Sequence, residues 1–316
     1  MPGIDISVLL TSIFLYPGVS AANQGRGGGG CGVLVGVPAE NWPNAVHLYG
    51  VTNAHVVHQG GVVARATRMS GQTWVFDQSP TDWTVHRDGD DLAACLLHTV
   101  PSKAGEAGLS MAQTFYWIAV DSLVKSDDLG WFMSTGRPYP WSLGPIRAGE
   151  EVFSISRFIG FDGVERNEPT VRFGNLAAQH TVSIPQPETA YNQESLLIEA
   201  RSLNGSSGAP VFLHRTMIAP PGTKLQFTEL PAFDPLLLGL GWGHIKHPED
   251  EASEFEVERE KPGRPTPGRY NSGMMAVVPS WKLTELLMDE DVVAVRRAAE
   301  VKGKRTGFTV LESGGN

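Results

Sequence analysis

Cysteine is nearly absent from this chain: Cys31 and Cys95 are the only two. Small secreted domains stapled by disulfides carry more. Each stands inside an apolar run, Cys31-Gly-Val-Leu-Val and Leu92-Ala-Ala-Cys95-Leu-Leu. Both therefore read as buried thiols acting as small hydrophobes; a single bridge between them stays open. No close Cys/His pair accompanies either one, so no metal is expected. A basic surplus is missing too, with 25 Lys and Arg against 34 Asp and Glu and a net charge of -9. That balance argues against a nucleic-acid partner. Long apolar runs are lacking: the stretch Ile6 to Tyr16 is too short to span a bilayer, so no membrane partner is expected. With Val19-Ser-Ala-Ala22 behind it, that stretch resembles a secretory leader. However, Met1-Pro-Gly-Ile-Asp5 before it supplies an acid and no Lys or Arg. We read Ser7 to Tyr16 as a first β-strand and expect a cytoplasmic location, with secretion left open. No internal repeat, phosphate loop, calcium loop or cofactor fingerprint is visible, so no cofactor is expected.

What the chain does have is turn residues, 36 Gly and 22 Pro, between apolar runs of strand length. These include Gly32 to Gly36, Ala45 to Val51, Gly61 to Arg65, Thr73 to Phe76 and Leu92 to Leu97. A second series comprises Val152 to Ser156, Val171 to Phe173, Ser195 to Glu199, Pro210 to Leu213, Leu236 to Trp242 and Met274 to Val278. Short strands at this density predict an all-β barrel or sandwich. Helical signals are few. Pro279-Ser280 opens a predicted helix through Trp281 to Met288, and a second covers Val292 to Val301. Met111 to Trp131 reads as a connector between the two β halves. Gly25 to Gly30 and His247 to Arg269 read as mobile loops, the latter with seven acids between Glu249 and Glu260. Those acids read as a solvated loop, or more sharply as a gate or cation-attracting rim.

Three segments carry chemistry. In Leu203-Asn-Gly-Ser-Ser-Gly-Ala-Pro-Val-Phe212, glycines permit a tight turn that exposes a hydroxyl. The N–H groups of Gly205 and Ser207 are spaced to converge on one oxyanion. In Tyr49-Gly-Val-Thr-Asn-Ala-His-Val-Val57, a His follows a strand, where a general base could be held rigidly. In Gly89-Asp-Asp-Leu-Ala-Ala-Cys-Leu-Leu97, an acid opening a buried strand needs a partner, and a His would supply it. Asp91 is the better candidate and Asp90 the alternative.

The order His, Asp, Ser is the chymotrypsin one. On these residues the chain resembles the chymotrypsin-like serine peptidases, especially the bacterial, disulfide-poor branch of glutamyl endopeptidases and HtrA-type enzymes. Thr52-Asn-Ala-His55, Asp91-Leu-Ala and Gly205-Ser-Ser-Gly-Ala-Pro210 are similar to that family's three motifs. Gly30-Cys-Gly-Val-Leu-Val35 resembles the strand before the His, and Leu238-Gly-Leu-Gly-Trp-Gly243 the strand lining the cleft. The resemblance implies two six-stranded antiparallel β-barrels and a C-terminal helix. It places the first barrel in residues 1–115, the second in 116–280 and a helical tail in 281–316. It implies a serine endopeptidase with His55, Asp91 and Ser207 as catalytic triad and Gly205 and Ser207 as oxyanion hole. Arg201, Asn204, Leu240, Gly241, Trp242 and Gly243 are the implied substrate contacts, the strand Leu240 to His244 pairing with peptide backbone. A peptide or protein substrate is the implied partner; the oligomeric state stays undetermined. Three positions depart from the family pattern. Ser206 precedes the nucleophile where digestive members carry an Asp. Arg201 stands where an Asp would select Lys or Arg, and Gly241 where glutamyl endopeptidases place a His; His244 is close enough to substitute. The alternatives are a catalytically silent peptide-binding scaffold of the same fold, or ester chemistry by the same triad.

Overall fold

The computed structural model describes residues 3–42, 45–101, 115–129, 146–158, 161–200, 206–214, 235–246, 257–258 and 271–306. Its strands are β1 (Ser12–Tyr16), β2 (Gly30–Pro38), β3 (Ala45–Thr52), β4 (Val63–Thr67), β5 (Thr73–Phe76), β6 (Thr84–Val85), β7 (Ala93–Pro101) and β8 (Ile118–Ala119) in the N-terminal half. The C-terminal half supplies β9 (Glu151–Ser156), β10 (Thr170–Leu176), β11 (Val182–Pro185), β12 (Asn192–Glu199), β13 (Pro210–Leu213), β14 (Leu237–Lys246), β15 (Val257–Glu258) and β16 (Asn271–Pro279). The helices among the described residues are α1 (Ile6–Leu9), α2 (Val19–Gln24), α3 (Ala54–His58), α4 (Ser280–Met288) and α5 (Glu290–Thr306). Among the described residues no helix is long and apolar enough to cross a membrane.

The strands form two sheets, the two-barrel arrangement implied by the sequence resemblance. The N-terminal sheet runs β5-β4-β1-β2-β3-β7-β6 with antiparallel neighbours and curls into a half-barrel, β8 joining β2 in parallel. In the second sheet β10, β9, β13, β14, β16 and β12 follow one another. Asn175↔Glu199 and Leu176↔Ile198 pair β12 back to β10 and close a ring of six strands. β11 is appended to β12, and β15 to β14 at His244↔Glu258 and Ile245↔Val257.

The apolar runs of β2 and β3 are continuous rather than alternating because both of their faces are covered. Leu34 and Leu48 join the core cluster of the half-barrel with Ile13, Phe14 and Leu15. Val33, Val35, Tyr49 and Val51 face the other way, against Leu240, Trp242, Ala276 and Val278 of the second barrel and Leu283 and Leu287 of α4. The ring encloses its own core of Leu196, Ile198, Val211, Leu238 and Val277. The two barrels thus share an apolar wall that neither can bury alone.

Local chemistry revises three expectations. The predicted first strand begins as helix: the Asp5 carboxylate accepts from Ser7 N–H at 2.8 Å and caps α1, so only Ser12–Tyr16 is extended. The glycine-rich connector Gly25 to Gly30 is pinned rather than loose. Gly29 N–H donates to Leu15 C=O at 2.8 Å, and Arg157 donates to Gly28 C=O. The second C-terminal helix starts earlier than predicted, at Glu290, with Glu290 and Asp291 complementing the positive end of its dipole. Of the connector Met111 to Trp131, residues 115–129 are described and hold β8 and two short 3-10 turns, Val120–Ser122 and Ser126–Asp128. The acidic loop lies outside the described residues apart from β15.

Helix α5 clasps the β2–β3 hairpin through one buried carboxylate. Glu300 accepts from Glu40 N–H at 2.9 Å, Asn41 N–H at 3.0 Å and Asn41 Nδ2 at 2.6 Å, and meets His47 Nε2 at 2.9 Å. Burial pushes this carboxyl up. The bonds from His47, Asn41 and the Glu40 and Asn41 amides outweigh that and hold it at about 2. A depressed folded-state value means stability that is complete above the unfolded value near 4.5 and lost as pH falls toward 2. We expect Glu300→Gln to remove on the order of 2–3 kcal/mol at neutral pH, measured by urea denaturation. The variant should also flatten the acid limb of the stability curve between those two values; an unchanged limb would refute the clasp.

Candidate active site

His55 sits in the first turn of α3, a short helix anchored in the half-barrel core by Val56 and Val57. Asp91 sits just before β7. The two meet squarely. His55 Nδ1 lies 2.7 Å from Asp91 Oδ2, and His55 N–H donates to Asp91 Oδ1 at 2.9 Å. Both side chains are buried, so the pairing fixes the ring twice over, through its own nitrogen and through its backbone. An ionised Asp91 calls for the proton on Nδ1, and among the described residues Nε2 has no hydrogen-bond partner. Asp90, the alternative, turns away from His55, its Oδ1 accepting from Gln193 Nε2 at 2.6 Å.

Ser207 belongs to the other barrel and opens the turn into β13. Its carbonyl accepts from Cys31 N–H of β2 at 2.7 Å. The next amide, Gly208 N–H, donates to Asn53 Oδ1 at 2.6 Å and to Gly241 C=O at 2.8 Å. Gly208 has φ +80°, and a Cβ there would collide with the Cys31 carbonyl oxygen and crowd Thr52 Oγ1, so only glycine fits. The turn is thus seated on β2 and on the segment that leads into His55. Among the described residues, neither the N–H nor the hydroxyl of Ser207 makes a hydrogen bond, and none joins Oγ to the His55 ring.

Two side chains that sequence reading left without a role hold this arrangement. Asn53, fully buried, donates Nδ2 to Asp91 C=O at 2.9 Å while its Oδ1 takes Gly208 N–H. One amide therefore ties the acid's backbone to the serine turn. Gln193, on β12 and fully buried, accepts from Asp91 N–H at 2.8 Å and donates to the Asp90 carboxylate. Asn53 stood inside the His motif and carried a usable signal. Gln193 lies in an ordinary strand and carried none.

The remaining sequence candidates divide. Arg201, Asn204 and Gly205 lie outside the described residues. Leu240 and Trp242 are core side chains, and Trp242 Nε1 donates to Ser195 Oγ at 3.0 Å, so β14 offers a ligand only backbone there. Gly241 uses both polar backbone groups on the serine turn, its N–H donating to Ala209 C=O at 2.9 Å. Gly243 is part-exposed beside it. Both cysteines are free thiols, and burial pushes Cys31 up to about 11 and Cys95 to about 12. Neither is a thiolate at neutral pH, so Cys31 is no nucleophile despite its bond to Ser207.

No protein-family model matches the chain, and no curated protein matches it by sequence. Among solved structures it is similar to the Rv3671c protease of M. tuberculosis. In the inactive form identity is 11%, coverage 89% of each chain and TM-score 0.40. In the active form identity is 13%, with 89% of this chain and 82% of that one covered at TM-score 0.40. It is also similar to the HtrA-type protease AlgW with decapeptide, at 16% identity, covering 88% of this chain and 53% of that one, with TM-score 0.35.

Asn53→Ala should leave the buried Asp91 carbonyl without its donor and remove about 1–3 kcal/mol of stability. Gly208→Ala should do more harm, because both the positive φ and the Cys31 carbonyl oppose a side chain. Equilibrium unfolding of both variants tests this. An Asn53→Ala protein as stable as wild type would show that the amide is not a structural tie.

Proposed function

We propose that the chain is a serine endopeptidase. The doubly anchored His55–Asp91 pair, with the Ser207 turn docked beside it through Asn53 and Cys31, is the observation that carries this reading. In the proposed reaction Ser207 Oγ attacks the scissile carbonyl carbon while His55 Nε2 takes the hydroxyl proton. Asp91 stabilises the imidazolium that forms. Collapse of the tetrahedral intermediate breaks the C–N bond, and His55 returns the proton to the leaving amine. Water then repeats the sequence on the acyl-enzyme. The N–H of Ser207, which makes no hydrogen bond among the described residues, is one proposed oxyanion donor and that of Gly205 the other. The proposed substrate is a peptide or protein extended along β14 near Gly243.

A second reading, a catalytically silent peptide-binding scaffold, is favoured by one observation: Ser207 Oγ makes no hydrogen bond to the His55 ring. Hydrogen bonds of this kind are often loose in unliganded hydrolases and tighten with substrate, so we place the active enzyme first. A fluorophosphonate probe separates the two. We expect stoichiometric labelling of the wild-type protein, none of Ser207→Ala and a strong fall in His55→Ala. Asp91→Asn should retain folding but lower peptide cleavage about ten-thousand-fold, because the ring would lose its oriented tautomer. Folded wild-type protein that takes no label would establish the scaffold instead.

A further inference from the structure

A second group of ionisable side chains lies behind the proposed acid, on the face where α4 covers the connection from β6 to β7. His86 and Asp90 are held four residues apart by a tight turn, with His86 N–H donating to Leu92 C=O at 2.9 Å and Gly89 N–H to His86 C=O at 3.2 Å. Both side chains are almost wholly buried, yet among the described residues His86 Nδ1 and Asp90 Oδ2 make no hydrogen bond. They face each other at 3.4 Å. A buried imidazole nitrogen and a buried carboxylate oxygen left in this state are strongly disfavoured unless something sits between them.

Glu285 of α4 closes the group. Its Oε2 lies 3.6 Å from the other ring nitrogen, His86 Nε2, and one ligand atom from each of His86, Asp90 and Glu285 falls within 4.8 Å of the others; only one nitrogen of the ring can hold a given ion, and the buried one beside Asp90 is Nδ1. The separation of His86 Nδ1 from Asp90 Oδ2 matches the edge of a tetrahedron with ligand bonds of about 2 Å, an edge of about 3.3 Å. Glu285 is half-exposed at the rim and can swing inward by a rotamer change. Among the described residues the cation at this group is Lys282, whose Nζ stands 3.7 Å from Asp90 Oδ2, 3.1 Å from Glu285 Oε2 and 4.0 Å from Glu194 Oε2. Three carboxylates thus surround a single ammonium, and the local charge remains negative.

We propose that His86, Asp90 and Glu285 form a binding site for a divalent cation of the zinc class, with Lys282 as its built-in competitor. Nitrogen with carboxylate oxygen is a donor set that zinc accepts, and three protein ligands leave a fourth position for water. On binding, the ion takes the negative field that Lys282 neutralises, and the lysine swings to solvent. The site also touches the proposed catalytic centre through Gln193, which donates to Asp90 Oδ1 and accepts from Asp91 N–H.

Isothermal titration of the full chain with zinc chloride, after dialysis against a chelator, tests the site without reference to catalysis. We expect one ion per chain, loss of binding in His86→Gln and affinity weakened about tenfold in Glu285→Gln. Lys282→Met should tighten binding by about tenfold, since removing one charge at this distance is worth that much. Cobalt substitution should give tetrahedral absorption bands that disappear in His86→Gln. Lys282 and Glu285 reach solvent, so their variants keep the fold and the result stays readable even if His86→Gln unfolds. Absence of zinc binding, or binding indifferent to both Lys282→Met and Glu285→Gln, overturns the proposal.

Discussion

One buried amide joins the two backbones of the candidate site that the chain makes separately. Asn53 gives its nitrogen to the carbonyl of Asp91 and its oxygen to the N–H of Gly208, and these backbones belong to different barrels. A buried amide with one end unmatched is strongly unfavourable, so the two barrels can close in only one register around it. The apolar wall of Val33, Val35, Tyr49, Trp242 and Val278 supplies most of the adhesion. Apolar contact is tolerant of small slides, however, whereas hydrogen bonds of 2.6 and 2.9 Å are not. Adhesion and alignment come from different residues.

The same division explains why two adjacent carboxylates meet different fates. Asp91 has both oxygens matched by donors of His55. Asp90, one residue earlier, has one oxygen on Gln193 and the other facing an imidazole and an ammonium at longer range. Gln193 touches both residues, so any change in the field at Asp90 acts on the backbone that positions Asp91. The half-barrel supplies the acids, the ring supplies the glutamine and α4 supplies the surrounding charge.

Much of this was legible in the sequence because it follows from local pattern. Strand-length apolar runs between glycines and prolines gave the barrels, and β2 and β3 read as continuous apolar runs because they lie between two cores. An acid at the head of the buried Leu92 run demanded a partner on charge grounds alone. What stayed hidden depends on pairings across the chain. Gln193 sits in Asn192-Gln-Glu-Ser195, which reads as an ordinary edge of a strand, and its role exists only once β12 passes behind Asp91. Trp242 resembled a cleft residue in sequence, and only the register of β14 turns its ring into the core. Ser7 to Leu10 has strand composition, yet the Asp5 cap made it helical. Neither cysteine sits in a metal-ligand motif, while His86, Asp90 and Glu285 are brought together only by the docking of a C-terminal helix.

The clasp between Glu300 and the β2–β3 hairpin bears on how the molecule is made. The amides of Glu40 and Asn41 and the ring of His47 find their acceptor on a residue about 260 positions downstream. While the chain emerges from the ribosome, the half-barrel is synthesised first and holds those groups without their partner until α5 has been translated. Until α5 is made, the half-barrel therefore waits with that hairpin unsatisfied, and a nascent chain stalled before α5 would expose it to chaperones and proteases.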